Sequence, residues 1–189
     1  MLFEDLSYSA GIFQWGIILG ASLVSALTDL KDRRIPNILT LPLLAVGIIQ
    51  AVWFDGFDGL KSSLLAALLL GLPYVLLFVF AGGGAGDAKL MAAVGAWLGI
   101  ESGIVALVFI SIFGIAGAML RALWARRFFE VVNNIRVMML SFVFFLSTRG
   151  ANKYAGGMDT HDDKAALKIP YGPVIFAGLV AAAIYSWLK

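Results

Sequence analysis

Gly82-Gly83-Gly84-Ala85-Gly86-Asp87-Ala88-Lys89 is a glycine run that ends in a carboxylate, set between two apolar segments with the character of membrane spans. An ionisable residue at that depth is costly and by default marks a functional site. The glycines carry no Cβ bulk, so a partner helix or an extended peptide can approach the backbone closely. That puts Asp87 on an open surface. Capping of a helix that begins near Ala88 accounts for an aspartate at this position equally well. A second carboxylate in a comparable setting, Asp29, moves the balance toward function.

Around these two acids the composition is that of a membrane protein. Of 189 residues, 61% are hydrophobic and 14% charged, and the mean hydropathy is +0.92. No soluble domain needs so much apolar surface. The fold class expected is all-α, a polytopic membrane bundle of about six transmembrane helices plus one interfacial or re-entrant helix, forming a single domain over residues 1–189. With no cysteine, a disulfide framework, a thiol nucleophile and a cysteine-ligated zinc site are excluded. The start Met1-Leu2-Phe3-Glu4-Asp5 has no basic n-region, so no cleaved secretory signal is expected.

Residues 11–28 make the first span, with Asp29 at its end and the charged stretch Lys31-Asp32-Arg33-Arg34 beyond it. Asn37 is placed to cap a second helix over 38–53, and Pro42 is tolerable inside a membrane helix. Asp55-Gly56-Phe57-Asp58-Gly59 reads as a surface turn, followed by a third helix over 62–81. The segment 90–100 is short: even from Asp87 to Ile100 a helix covers only about 21 Å. It is nevertheless read as crossing, beside a thinned or shielded bilayer. A long helix over 103–124 follows. Residues 137–147 are too few for a span and read as re-entrant or interfacial. A polar loop over 148–168 leads to the last helix, 171–188.

This topology is tested by the basic residues. With the N-terminus outside, Lys31, Arg33, Arg34, Lys89, Arg121, Arg126, Arg127, Arg136, Arg149, Lys153, Lys164 and Lys168 share one side, leaving Lys61 and Lys189 on the other. A 12-to-2 split marks the first side as cytoplasmic and puts Asp29 and Asp87 on it together.

Two acids at one membrane boundary suit a shared-proton dyad, in which crowded carboxylates cannot both ionise. One activates water as a general base while the other protonates the substrate carbonyl oxygen, and the roles then exchange. No metal or other cofactor is required. The sole histidine, in His161-Asp162-Asp163, sits in a hydrophilic loop, and a solvated loop is a simpler reading of that trio than a metal cluster. No Gly-x-Ser-x-Gly elbow is present. Asp32, three residues after Asp29, shares its helical face, and spacing does not choose between them. Pro36 and Asn37 read as the end of one segment and the cap of the next. Pro170-Tyr171-Gly172-Pro173 reads as a constrained loop-to-helix junction that also suits a substrate groove. Lys89 is placed for contact with lipid phosphate or for biasing Asp87.

Three stretches together resemble a family. Asp29, six intervening residues and Pro36-Asn37 look like the first motif of the type IV prepilin peptidases. Gly84-Ala85-Gly86-Asp87-Ala88-Lys89 is similar to their Gly-x-Gly-Asp motif, and Ile169-Pro170-Tyr171-Gly172-Pro173, with Gly178 beyond, to their C-terminal motif. The resemblance implies an aspartic endopeptidase with Asp29 and Asp87 as the catalytic pair, supported by Gly84, Gly86, Lys89, Pro36, Asn37, Pro170, Tyr171 and Gly172. It implies a prepilin or prepilin-like substrate, cut after a glycine at the cytoplasmic face of a bacterial inner membrane, with no nucleic-acid partner. It also implies the short form without the methylating region, similar to the enzymes of tight-adherence pilus systems. Two other classes compete: an ion-coupled carrier using the acids for protons or cations, and a secretion-system assembly subunit in which both acids are dispensable.

Overall fold

The computed structural model describes residues 2–81, 84–124 and 171–189, together with Arg136 and Leu140. Apart from Leu140, the expected re-entrant helix over 137–147 lies outside the described residues, as do the loop 148–168 with His161, Asp162 and Asp163, and Pro170. The described residues form four helices: α1 (Leu2–Asp32), α2 (Asn37–Ala81), α3 (Ala85–Trp124) and α4 (Gly172–Leu188). Three stretches within them, Gly11–Asp32, Asn37–Val79 and Ala85–Leu120, are long and apolar enough to cross a membrane. α4 is a shorter apolar helix of 17 residues. The chain is an integral membrane protein.

The segments expected as separate helices, 38–53 with 62–81 and 90–100 with 103–124, follow each other across bends made by single glycines. Gly56 (φ 61°, ψ −134°) interrupts α2, and Gly99 (φ 71°, ψ −171°) interrupts α3. Both conformations are open only to a residue without Cβ. At each point the chain doubles back. Gly59 lies against the carbonyl of Ala51, although eight residues of straight helix would separate them by about 12 Å. Likewise Gly95 and Gly103 lie against Ala66 and Leu70, which are one turn apart on α2. The turn expected over 55–59 is therefore made at Gly56, where the two helical arms of α2 meet.

α3 begins with an arm, residues 85–98, held between the two arms of α2. On one side it runs parallel to the first arm, where Lys89 Nζ donates to Asn37 Oδ1 at 2.8 Å and Trp97 Nε1 donates to the Leu43 carbonyl at 2.8 Å. On the other it runs antiparallel to the second arm, where Ser63 Oγ donates to the Ala96 carbonyl at 3.1 Å and Gly71 faces Ala92. Small residues allow the close packing that membrane helices rely on in place of a hydrophobic driving force. The later arm of α3 packs against α4 through Ile110 and Gly178, and α4 in turn packs on α1.

The core is correspondingly narrow. Leu70, Leu90, Met91, Val94, Ile110, Ile175 and Leu179 are fully buried, whereas Leu27, Leu68, Val79 and Ile115 stand largely exposed. An apolar belt of that extent is the surface a bilayer covers. The serines on the inner face of α1 are satisfied locally: Ser22 Oγ donates to the Leu19 carbonyl and Ser25 Oγ to that of Ala21.

Candidate active site

The site is built where one end of α1 and the starts of α2, α3 and α4 come together. Asp29 occupies the last turn of α1 and is only 7% exposed. Its Oδ2 accepts the backbone N–H of Gly172 at 2.8 Å, across 143 residues of sequence. That N–H is one of the unpaired donors of the first turn of α4, so the positive end of the α4 dipole faces the carboxylate. Only glycine fits there. A Cβ at 172 would stand 2.9 Å from Asp29 Cβ, 3.0 Å from Ala26 Cα and 3.1 Å from the Ser25 carbonyl oxygen. Tyr171 is the N-cap residue of α4 and makes no side-chain cap bond, while its carbonyl accepts from the Ile175 N–H at 3.0 Å.

Asp87 lies in the first turn of α3. The expected helix start near Ala88 is corrected to Ala85, so Asp87 is a helical residue and does not cap. Its N–H donates to the Gly84 carbonyl at 3.2 Å, and its carboxylate curls back over Gly84, where a Cβ would meet Oδ2 at 2.6 Å. It is half-buried, less open than the glycine run suggests. Gly86, just before it, packs on Ile35 with space for no more than a hydrogen. The charges of Asp29 and Asp87 lie within interaction range of each other, and Asp87 also acts on Tyr171. Burial first and the Asp87 charge second hold the Tyr171 phenol above the usual tyrosine range, so it stays protonated.

The supporting residues sort differently from expectation. Asn37 does not cap α2: the first turn is closed by the Pro36 carbonyl, which accepts from Leu39 and Thr40 N–H. The Asn37 side chain is used on Lys89, tying the start of α2 to the first turn of α3. Lys89 thus has a protein partner. Asp32 is exposed and Asp29 buried, which separates two acids that spacing alone left equivalent. Asp32 faces a cleft of about 360 Å³ lined also by Thr28, Arg34, Ile35, Pro36 and Asn37. Sequence reasoning missed Tyr74, a buried tyrosine of α2 within electrostatic reach of Asp87 and Tyr171. Its one signal is a polar group in the otherwise apolar run 64–81. Among the described residues no group of three or more His, Asp or Glu side chains converges on a metal position.

The arrangement holds Asp29 by a backbone donor and keeps Asp87 under the influence of its charge, two acids from which acid–base attack on an amide by water can be built. Comparison with known proteins points the same way. The sequence profile of the type IV leader peptidase family matches residues 16–119, which include Asp29 and Asp87. The chain is 40% identical to a prepilin leader peptidase/N-methyltransferase of Neisseria gonorrhoeae over 113 residues, 55% of this chain and 39% of the relative. It is 34% identical to that of Xanthomonas campestris over 120 residues (57% and 39%), and 33% identical to that of Burkholderia pseudomallei over 125 residues (62% and 40%). The matches thus span about two fifths of the length of these relatives. No solved structure matches the chain.

Proposed function

Because the chain belongs to the type IV leader peptidase family, we propose that it is a membrane aspartic endopeptidase that removes the short basic leader of prepilins or prepilin-like proteins. The cut falls after a glycine, at the cytoplasmic face of a bacterial inner membrane. The observation that carries this reading is the pair itself: buried Asp29, fixed by the Gly172 N–H at 2.8 Å, within charge range of Asp87. With Oδ2 committed to Gly172, the other oxygen of Asp29 is left for the acid–base chemistry. One carboxylate takes a proton from water as the water attacks the scissile carbonyl carbon. The other gives a proton to the carbonyl oxygen, and the leaving nitrogen is protonated as the tetrahedral species collapses.

The bends at Gly56 and Gly99 support six crossings of the bilayer, with α2 and α3 each contributing two, and with the N-terminus outside. In that topology the ends that carry Asp29 and Asp87 face the cytosol. The cleft beside Asp32, Pro36 and Asn37 opens at the same end and suits an extended leader.

The test is cleavage by the purified chain in lipid nanodiscs, given a prepilin with glycine at the leader junction. Cutting is expected with a chelator present, to be lost in Asp29→Asn and Asp87→Asn and retained in Asp32→Asn. Absence of cutting by the wild type, with proton flux in liposomes that either Asp→Asn change stops, would favour the carrier and contradict the peptidase. Loss in Asp32→Asn with cutting retained in Asp29→Asn would show that the first acid had been misassigned.

A further inference from the structure

Tyr74 is a buried polar side chain that the dyad chemistry leaves unused. It is 8% exposed and lies on the second arm of α2, whose antiparallel register against α3 is fixed at three places. Ser63 Oγ donates to the Ala96 carbonyl, Gly95 rests on the Ala66 carbonyl, and Gly71 faces Ala88 and Ala92. One further turn along that register brings Tyr74 level with Gly86 and Asp87. Asp87 and Tyr171 both act electrostatically on its phenol group. A phenol buried in a membrane bundle has one polar end, and that end seeks a partner where no lipid supplies one.

Of the other donors near the dyad, Tyr171 is 37% exposed, where water competes for its phenol, and two more are already directed elsewhere. The Gly172 N–H is spent on Asp29, and Lys89 Nζ is turned to Asn37. Yet a tetrahedral species needs a donor at the oxygen where negative charge grows. We propose that Tyr74 is a catalytic residue whose O–H donates a hydrogen bond to the scissile carbonyl oxygen lying between Asp29 and Asp87. The role rests on the peptidase reading above. The phenol keeps its proton throughout: the proton that the oxygen acquires comes from the dyad, and Tyr74 holds the oxygen in place while it does.

Tyr74→Phe keeps the ring and removes the donor. In the prepilin assay kcat is expected to fall roughly 100-fold, with KM changed by less than about threefold. Affinity for a leader peptide with a phosphinate in place of the scissile amide is expected to fall with kcat, while affinity for its uncleavable ground-state counterpart holds. Tyr74→Gln, which retains a donor, is expected to recover part of kcat. A loosened fold would weaken both peptides together, so their ratio within one variant decides even where the thermal midpoint drops. A wild-type rate in Tyr74→Phe, or equal weakening of the two peptides, overturns the role of Tyr74 and leaves the peptidase intact. A wild-type chain that cuts no prepilin overturns the peptidase reading and this role with it.

Discussion

Asp29 and Asp32 are separated by three residues and by entirely different surroundings. One is buried against a backbone N–H, the other exposed at the rim of a cleft. Removing the N–H contact without touching either acid isolates its contribution. Gly172→Ala places a methyl against Asp29 Cβ, Ala26 Cα and the Ser25 carbonyl, so α4 must move off α1. Cleavage is expected to fall by roughly 10²-fold through misplacement of Asp29, and stability by about 1–3 kcal/mol; steady-state kinetics and thermal unfolding read the two separately. Arg33 gives a change of opposite sign. It ends α1 with φ 51°, its N–H bonded to the Asp29 carbonyl at 3.0 Å, in the left-handed conformation that favours glycine. Arg33→Gly is expected to raise stability by about 0.5–1 kcal/mol in the same unfolding measurement. The two acids of the candidate pair were legible in the sequence because each breaks an apolar segment and sits in a short motif. The Gly172 contact was not, because a backbone N–H has no side-chain signature and its partner lies 143 residues away. Nor was the Asn37–Lys89 bond, since an asparagine at a helix start reads first as a cap.

At the scale of the element, the decisive residues are the two glycines that turn long helices into hairpins. Each occupies a backbone conformation that a side chain strains, Gly99 at φ 71° and Gly56 at φ 61°. Gly99→Ala and Gly56→Ala are each expected to cost about 1–3 kcal/mol, measured by denaturant unfolding in micelles. Neither has anything within 4 Å of an added Cβ, so the cost is one of backbone strain and not of collision. The glycines and acids of 55–59 mark a turn in the sequence, and 90–100 and 103–124 are legible as successive segments. Composition marks where a chain reverses without showing how few residues the reversal needs. The start of α3 was misjudged. Glycines depress helix propensity, yet Gly86 is helical because its lack of a side chain lets the first turn seat on Ile35.

Across the whole molecule, the residues of the site come from four helices that meet at one end of the bundle, and the proposed topology puts that end in the cytosol. The chain contains no cysteine, so single introduced thiols report position without background. Arg33→Cys is expected to react with an impermeant maleimide only from the cytoplasmic side of oriented membranes, and Asp58→Cys only from the opposite side. Labelling of both from one side would contradict six crossings. The central claim is that Asp29 and Asp87 work as one unit on an amide bond. The most direct measurement is the rate of leader cleavage in Asp29→Asn, Asp87→Asn and the double variant. A unit predicts that each single change costs about as much as both together. Losses that multiply, or a single variant that cuts at the wild-type rate, would contradict it.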